Sequence, residues 1–190
     1  ESNSGFPLFK TLGEVNIPAD VIVDFSHPAL LDSILCYVNE KNIPAVLATT
    51  GYSAEATAKI RKAAERSPLF FTFNMSLGVN LLVSLSKRAA EVLGDAFDVE
   101  IVEKHHNQKL DAPSGTALML AEEIKTAKTD ATFVCGRYGH QKRSPKEIGI
   151  HALRLGGVIG EHEVILATPT ETITLKHEAH TRAVFADGAL

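Results

Sequence analysis

The sequence predicts an α/β protein in which part of a Rossmann-type, doubly wound parallel sheet is followed by an α+β domain. Three observations lead to this fold class. Short apolar runs alternate with helical segments over residues 21–73, as in buried parallel sheets. A strongly amphipathic helix is then predicted from residue 77 onwards. Beyond it, apolar and polar residues alternate, which indicates a mostly antiparallel or mixed sheet backed by helices. We therefore divide the chain into two domains, 1–75 and 76–190.

The first domain is predicted to consist of strands connected by helices. Such connections are right-handed and give a parallel sheet. Ser26 and Ser53 stand where helix caps are expected, whereas residues 1–20 show no clear period and are expected to form a loop or a frayed helix. The glycine-rich turn that opens such folds is missing, so we expect the first strand–helix–strand unit to be absent from this chain. The predicted strands are 21–25, 44–49 and 69–73, and the predicted helices are 29–40 and 53–66.

The second domain is predicted to begin with the long helix. Leu77, Leu81, Leu85 and Val92 lie on one side of it and are expected to form its buried face, and Gly94 ends it. The further predicted elements are a strand with one solvated face at 97–102, a helix from Ser114 to about residue 125, a loop at 136–147, and strands near 148–155, 161–167 and 171–177, the last two joined as a hairpin through Pro169 and Thr170.

The composition excludes several classes of function. Hydrophobic residues at 45% and charged residues at 22% are ordinary for a soluble globular protein, and a net charge of −4 leaves no broad basic field for nucleic acid. No apolar run reaches the roughly 18–20 residues of a membrane span, and residues 1–5 lack the features of a signal peptide. Cys36 and Cys135 have no metal-binding spacing, and Cys36 is expected to be buried in a helix. We therefore expect a reducing, cytoplasmic compartment.

One segment, residues 100–117, carries the residues that point to chemistry. A predicted strand ends there in a polar loop, and a helix begins at Ser114-Gly115-Thr116. The free N–H groups and the dipole of a helix start favour an anion, and the glycine lets a carboxylate or phosphate approach the backbone. Lys109 offers a positive charge, and His105 and His106 offer ring donors or acceptors. Together these residues predict a site that binds a small carboxylate and gives it a proton.

Each of these residues also has a purely structural interpretation. Ser114 is expected to cap the helix in any case, so that anion binding would be additional. Asp111, close before Pro113, is more typical of a turn than of a catalytic acid. A histidine pair in a loop is more often a surface feature than a catalytic one. No metal is expected, because adjacent histidines do not easily share a tetrahedral ion and no cysteine or HExxH partner is present.

The same segment resembles the signature of the 4-hydroxy-tetrahydrodipicolinate reductases, also called dihydrodipicolinate reductases. That pattern places Glu, an aliphatic residue, Glu, His, Lys, Asp and then Pro-Ser-Gly-Thr-Ala at fixed spacing, and each position is met within residues 100–117. Ala48 stands where the family usually has glycine, Thr168-Pro169-Thr170 replaces a glycine-bearing turn, and the family's N-terminal phosphate turn and C-terminal tail are not in the chain. Further similar segments, which extend the resemblance over about residues 20–190, are 48–51, 73–80, 136–140, 147–155, 160–164, 177–182 and 185–189.

The resemblance implies an activity, a cofactor and a set of site residues. Family members use NADH or NADPH to reduce 4-hydroxy-tetrahydrodipicolinate, a small dicarboxylate, to tetrahydrodipicolinate in lysine and diaminopimelate biosynthesis. Residues 1–75 would be the remainder of the dinucleotide-binding domain, and 76–190 would bind substrate and form a homotetramer, in the cytoplasm or, in a plant, the plastid stroma. His105 matches the proton donor, and Lys109 is the implied second catalytic residue. The implied substrate-binding residues are His106, Ser114, Gly115, Thr116 and Arg182, and the implied cofactor-binding residues are Ala48, Thr49, Thr50, Thr72, Phe73, Asn74 and Met75.

Two other classes of function stay open on the sequence. A semialdehyde or homoserine dehydrogenase would share the fold class. The phosphorylating semialdehyde type needs a nucleophilic cysteine in an exposed loop, but Cys36 falls in a predicted helix and Cys135 has no base beside it. The second alternative is a truncated dicarboxylate-binding or oligomerisation fragment without activity. The choice between NADH and NADPH is open as well, because the ribose-recognition residue is not in the chain.

Overall fold

The structure is a computed structural model that describes residues 5–190. The predictions made for residues 1–4, namely a loop without signal-peptide features, lie outside this described part. The chain forms two compact units that divide between Thr72 and Phe73. The predicted boundary stood slightly later, between residues 75 and 76. The assignment of the two domains to cofactor and substrate stays a prediction.

The first unit is a three-stranded parallel sheet with helices in its crossovers. Its elements are β1 (Ile22–Asp24), α1 (Leu31–Lys41), β2 (Ala45–Leu47), α2 (Ala54–Ala63) and β3 (Leu69–Phe71). The strand order is β1-β2-β3, and Val38 of α1 and Leu47 of β2 are fully buried in the shared core. Helix α1 ends at Asn42, which adopts the left-handed conformation that stops a helix. These elements confirm the predicted parallel sheet.

Of the two predicted helix caps in this unit, one is confirmed and one is wrong. The Ser53 side chain accepts a hydrogen bond from the Ala56 N–H at 3.1 Å and caps α2. Ser26 caps nothing, because its hydroxyl donates to the Asp24 carboxylate. The His27 side chain instead accepts from the Ala29 N–H at 3.2 Å and begins a short 3₁₀ turn ahead of α1.

The second unit is a five-stranded mixed sheet with helices packed on one face. Its elements are α3 (Leu77–Leu93), β4 (Asp98–His105), α4 (Gly115–Ala127), β5 (Thr132–Cys135), β6 (Glu147–Arg154), β7 (Gly160–Ala167), β8 (Thr172–Ala179) and α5 (Ala183–Asp187). The strand order is β5-β6-β4-β7-β8. Strands β5, β6 and β4 are parallel, and the pairs β4–β7 and β7–β8 are antiparallel. The sheet is therefore mixed, and the predicted hairpin is β7–β8.

Strand β4 lies at the centre of this sheet, which the sequence did not reveal. Its predicted form was a shorter strand, 97–102, with one solvated face and antiparallel neighbours. The observed strand extends to His105 and is paired in parallel with β6 and in antiparallel with β7. Strand β5 was not predicted at all. Both differences arise because pairing between distant segments, and not the local pattern, decides where a strand lies in a sheet.

The core of the second unit lies between the sheet and helices α3 and α4. Alternate residues of β4 are buried, and Ile101 packs there with Leu120 of α4 and Ile150 of β6. Burial of such side chains contributes roughly 1.5–3 kcal/mol each. Because β4 alternates, its next residues on the same face, Glu103 and His105, are also buried at the end of the strand. The same face of β4 is therefore apolar at the centre of the sheet and carries buried titratable side chains at the end of the strand.

The predicted buried face of α3 is wrong. Leu77, Leu81, Leu85 and Val92 are 76%, 59%, 46% and 66% exposed. The helix has a second side that carries smaller residues and allows a close approach to α4. The hydroxyl of Ser86 on that side donates to the Leu82 carbonyl at 2.7 Å, so the serine can be buried. The buried residues of α3 are Val79, Leu82, Ser86 and Ala90.

Two neighbouring leucines of α3 test this orientation. We expect Leu82→Ala, at a site that is 4% exposed, to lower the free energy of unfolding by about 2–5 kcal/mol. The matched substitution Leu81→Ala removes the same atoms from a site that is 59% exposed and should change it by less than about 0.5 kcal/mol. Urea denaturation of both variants decides the point, and equal losses would contradict the orientation.

Cys36 also differs from its prediction. It is exposed on α1, and its thiol donates to the Glu40 carboxylate at 3.3 Å. Ile34, Leu35 and Val38 near it belong to the buried face, but its own position on the helix faces away from the core. Among the residues that the structure describes, no helix has the length and hydropathy required to cross a bilayer.

Candidate active site

The candidate site forms where β4 ends and α4 begins. Ser114 caps α4, as predicted, by accepting a hydrogen bond from the Ala117 N–H at 3.2 Å. The same hydroxyl lies 3.1 Å from Nε2 of His162 on β7. The loop between β4 and α4 carries Lys109 and Asp111. The candidate site is therefore formed by the end of β4, the loop after it and the start of α4.

Glu103 is the buried centre of this site, and its side chain is fully inaccessible to solvent. Its carboxylate lies 2.6 Å from Nδ1 of His105 and accepts two N–H groups of Arg154 at 2.7 and 2.8 Å. It also accepts the backbone N–H of Ser114 at 3.0 Å. Burial by itself raises the pKa of this carboxyl, but the hydrogen bonds from His105, Arg154 and Ser114 outweigh burial and lower the pKa to about 2. Glu103 is therefore ionised at neutral pH.

His105 turns its other ring nitrogen toward a glycine. A Cβ atom added to Gly160 of β7 would lie 3.3 Å from Nε2 of His105. Glycine at this position leaves the space in front of that nitrogen open. His105 itself is only 8% exposed. The ring is therefore held on one side by Glu103, and the glycine leaves its Nε2 side free of a side chain.

His162 is a site residue that sequence reasoning missed. It pairs with Glu103 across strands β4 and β7, and its ring meets the His105 ring edge-on, with centroids 5.2 Å apart. Burial, followed by the nearby charge of His105, lowers the pKa of His162 to about 3. The ring is therefore neutral at physiological pH. Its position in a strand, far along the chain from the signature segment, gave no local signal of this contact.

Lys109 and Asp111 are held together in the loop before α4. Nζ of Lys109 lies 2.8 Å from the Asp111 carboxylate. Burial raises the pKa of Asp111, but the hydrogen bond and the charge of Lys109, together with a backbone hydrogen bond and the charge of Arg154, outweigh burial and hold the pKa below its ordinary value. The Asp111 carbonyl accepts from Arg154, which also binds Glu103. The charge of Lys109 in turn contributes to lowering the pKa of His162. The predicted pair His105 and Lys109 therefore belongs to one electrostatic cluster.

The start of α4 has the features of an anion site. A Cβ atom on Gly115 would meet nothing within 4 Å, so there is free space beside the backbone at the start of α4, where a helix favours an anion. Thr116 is buried, and its hydroxyl accepts from the Asn74 amide at 2.9 Å. Asn74, which was predicted on the cofactor side, is thus in direct contact with a predicted substrate-binding residue. His106 is half-buried in the loop.

Arg182 is the predicted substrate-binding residue that the structure does not bring into this cluster. It is exposed at the start of α5, and within the described residues its side chain makes no hydrogen bond or ion pair. Its predicted role in holding a second carboxylate stays a prediction.

The predicted cofactor residues of the first unit lie at the carboxyl end of its parallel sheet. Ala48, Thr49 and Thr50 directly follow β2, and Gly51 has a φ of 82° that lets the chain turn back. Thr72 directly follows β3, while Phe73, Asn74 and Met75 begin the second unit. Carboxyl ends of parallel strands are where such sheets bind nucleotides. The role of these residues in holding a nicotinamide cofactor stays a prediction.

A parallel sheet of the nucleotide-binding type in the first unit, and in the second unit a histidine held by a buried carboxylate beside a helix start, are both typical of nicotinamide-dependent oxidoreductases. Comparison with known proteins identifies the family within this class. The sequence profile "Dihydrodipicolinate reductase, N-terminus" matches residues 1–75, and "Dihydrodipicolinate reductase, C-terminus" matches residues 78–190. The chain therefore belongs to the 4-hydroxy-tetrahydrodipicolinate reductase family.

Individual relatives support the same family assignment. The 4-hydroxy-tetrahydrodipicolinate reductase of Clostridium novyi (strain NT) is 50% identical over 186 residues, which are 97% of this chain and 74% of that protein. The enzyme of the same name from Caldanaerobacter subterraneus subsp. tengcongensis is 49% identical over 187 residues, again 97% of this chain and 74% of that protein. A solved structure, "Dipicolinate bound Dihydrodipicolinate reductase from Paenisporosarcina sp. TG-14", is 28% identical with a TM-score of 0.66 and aligns with 89% of this chain. The chain spans 65% of that solved chain's length.

These comparisons confirm the predicted family, the fold class and the assignment to oxidoreductases of lysine biosynthesis. A nicotinamide cofactor follows from the family. The roles of individual residues are a separate matter, which the comparisons do not address.

Proposed function

We propose that this chain provides the proton donor and the carboxylate site for the NADH- or NADPH-dependent reduction of 4-hydroxy-tetrahydrodipicolinate to tetrahydrodipicolinate. The observation that carries the proposal is His105, whose Nδ1 lies 2.6 Å from the buried Glu103 carboxylate beside the start of α4. A proton donor and an anion site so close together suit a cyclic dicarboxylate that must be bound and protonated. The relative solved with dipicolinate bound supports a substrate of this class.

The substrate's first carboxylate would bind at the start of α4. Gly115 opens the backbone N–H groups to it, and Ser114 and Thr116 border the same turn. His106 would add a ring donor from the loop. In a partly dry site, charge-assisted hydrogen bonds to a carboxylate contribute about 1.5–3 kcal/mol each. Arg182 would hold the second carboxylate, because its guanidinium can pair with it through two hydrogen bonds.

The proton would come from His105 and the compensating charge from Lys109. The nicotinamide supplies the hydride when it is bound, and residues 48–50 and 72–75 would hold it. Hydride addition leaves the substrate ring with excess electron density that a general acid must neutralise. A histidine titrates near neutrality and is suited to this step. Lys109, already oriented by Asp111 at 2.8 Å, would stabilise the developing negative charge.

Lys109→Ala tests the role of this charge. We expect kcat/KM to fall about 10- to 100-fold, with losses in both kcat and substrate affinity, since a charge-assisted contact is removed. Lys146→Ala is the matched control, because Lys146 also lies 2.8 Å from an aspartate, Asp130, but at the surface and away from the cluster. Steady-state kinetics of both variants give the answer. A loss that is equal in the two would contradict the proposal.

A second candidate function is supported by the start of α4, where Ser114, Gly115 and Thr116 all lie within the second unit. As a dicarboxylate-binding fragment, the chain would bind dicarboxylate but no nicotinamide nucleotide. Calorimetric titration with NADH, NADPH and dipicolinate separates the two functions. Binding of either nucleotide supports the reductase, and binding of dipicolinate alone supports the fragment.

We also propose a homotetramer in the cytoplasm. The support is the edge strand β8, whose exposed residues alternate along its length and leave one face of its side chains for pairing with other copies. Light scattering on the purified protein tests the assembly state.

A further inference from the structure

We propose that Glu103 and Arg154 act as positioning residues that hold His105 in the tautomer protonated on Nδ1, so that Nε2 is the nitrogen that exchanges the catalytic proton. The inference rests on the proposed function for its kinetic consequence. Its structural content concerns one hydrogen bond and is testable without turnover.

The first step is that Glu103 can only accept hydrogen bonds. Its neighbours are all donors, namely the ring of His105, the guanidinium of Arg154 and the backbone N–H of Ser114. These donors outweigh burial and keep the carboxyl ionised, with a pKa of about 2. An ionised carboxylate has no proton to donate.

The second step follows from the short distance to the histidine. Nδ1 of His105 lies 2.6 Å from a Glu103 oxygen, which requires a proton between them. Because the carboxylate brings none, the proton belongs to Nδ1. The neutral ring therefore has a bare Nε2, and the protonated ring has its transferable proton there. This is also the nitrogen that faces Gly160, where a Cβ would lie 3.3 Å away.

Arg154 holds the Glu103 carboxylate in a fixed orientation. It lies beside His105 in the parallel register of β4 and β6, and its two terminal nitrogens contact both oxygens of Glu103 at 2.7 and 2.8 Å. It also donates to the Asp111 carbonyl in the loop. A planar guanidinium that is anchored at both ends prevents the carboxylate from rotating. Arg154 thus fixes Glu103, and Glu103 fixes the ring.

Within residues 5–190, Glu103 is the acceptor that the structure records for Nδ1 of His105. The charged or titratable groups around it are Glu103 on its own strand, Arg154 on β6, and His162 on β7, with the charge of Lys109 reaching His162 from the loop. His162 touches His105 through ring edges and bonds to Ser114 instead. The tautomer is therefore set by Glu103.

Two observables test the inference in the full chain. Long-range ¹H–¹⁵N spectra report which nitrogen of neutral His105 carries the proton, and steady-state kinetics over a range of pH report kcat and KM separately. We expect the wild-type ring to be protonated on Nδ1. In Glu103→Gln the tautomers should mix, kcat should fall about 10- to 100-fold, and KM should change little, as for the loss of a partner that orients a reactive histidine.

The chain offers a matched control on the opposite face of the same strand. Glu100 lies 2.8 Å from Nε2 of His151 and 3.1 Å from Nε of Arg143, so that it too joins a histidine to an arginine. Glu100→Gln makes the same chemical change away from His105 and should alter neither the His105 tautomer nor kcat. If Glu103→Gln does not fold, the double variant Glu103→Gln with Arg154→Met is measured in its place. The second substitution removes the guanidinium that Glu103→Gln leaves without its carboxylate.

The outcomes are distinct. A wild-type His105 protonated on Nε2 when neutral overturns the inference without any variant. So does an active wild type whose Glu103 variant keeps both the tautomer and kcat. An inactive wild type with the Nδ1 tautomer refutes the proposed function alone and supports the positioning of the ring.

Discussion

Replacing His105 by glutamine is expected to lower kcat at least about 100-fold with only a modest change in KM. This corresponds to a loss of about 2.7 kcal/mol of transition-state stabilisation. Glutamine retains hydrogen-bonding groups of similar reach, so the substrate can still bind, but it cannot release a proton near neutral pH. The measurement is steady-state reduction of the substrate with NADH and with NADPH, beside thermal unfolding to verify the fold.

His151→Gln is the control for this variant. His151 lies 2.8 Å from Glu100 on the other face of the sheet, and its replacement should leave kcat within a few-fold of the wild type. If His105→Gln kept wild-type kcat, His105 would be removed from the role of acid, and Lys109 would be the next residue to test as proton donor.

The second large effect is a loss of stability in acid, to which two buried groups contribute with the same sign. The pKa of His162 falls from an ordinary 6.5 to about 3 in the folded state. Between these two values the unfolded chain binds a proton at this histidine and the folded chain does not. The free energy of unfolding therefore decreases as pH falls from 6.5 toward 3. The pKa of Glu103 falls from an ordinary 4.5 to about 2, so its contribution is complete above 4.5 and is lost as pH falls toward 2. At about 1.4 kcal/mol per pKa unit, these shifts correspond to roughly 3–5 kcal/mol each.

Urea unfolding measured from pH 7 down to pH 4 separates the two groups, because most of the decrease in that range should come from His162. His162→Phe should flatten the decrease between pH 6.5 and 4. Glu171→Gln, which neutralises an exposed carboxylate, is the control and should leave the slope as in the wild type. A slope that His162→Phe does not change would show that the ring is protonated in the folded state.

Much of this molecule follows from local pattern. The alternation of apolar runs predicted the parallel sheet of the first unit, and the predicted caps Ser53 and Ser114 stand at true helix starts because a side-chain oxygen there satisfies a free N–H group. The signature segment located His105 and Lys109, which the structure joins in one electrostatic cluster. These features depend on neighbours in sequence, and therefore the sequence reveals them.

What the sequence did not show depends on long-range pairing. His162 and Arg154 reach the site only because β7 and β6 flank β4. The residues next to them in the chain give no indication of this strand order. The orientation of α3 failed for a related reason. Both of its sides carry apolar residues, and the side that packs against α4 and the sheet is the one with Val79, Leu82 and Ala90.

The spacing of Glu103 and His105 has a consequence for how this protein can vary. Two positions on one strand share a face only if an even number of steps separates them. A single inserted or deleted residue between them would turn the histidine to the side of Lys104, whose amine is paired with Glu161. Because β4 is bonded to neighbours along both edges, the error could not be absorbed by sliding the strand. We therefore expect length variation among natural sequences to be tolerated in the exposed β7–β8 turn at Pro169 and Thr170 and to be absent from β4 itself, and libraries of single-codon insertions read out by growth without lysine would show this.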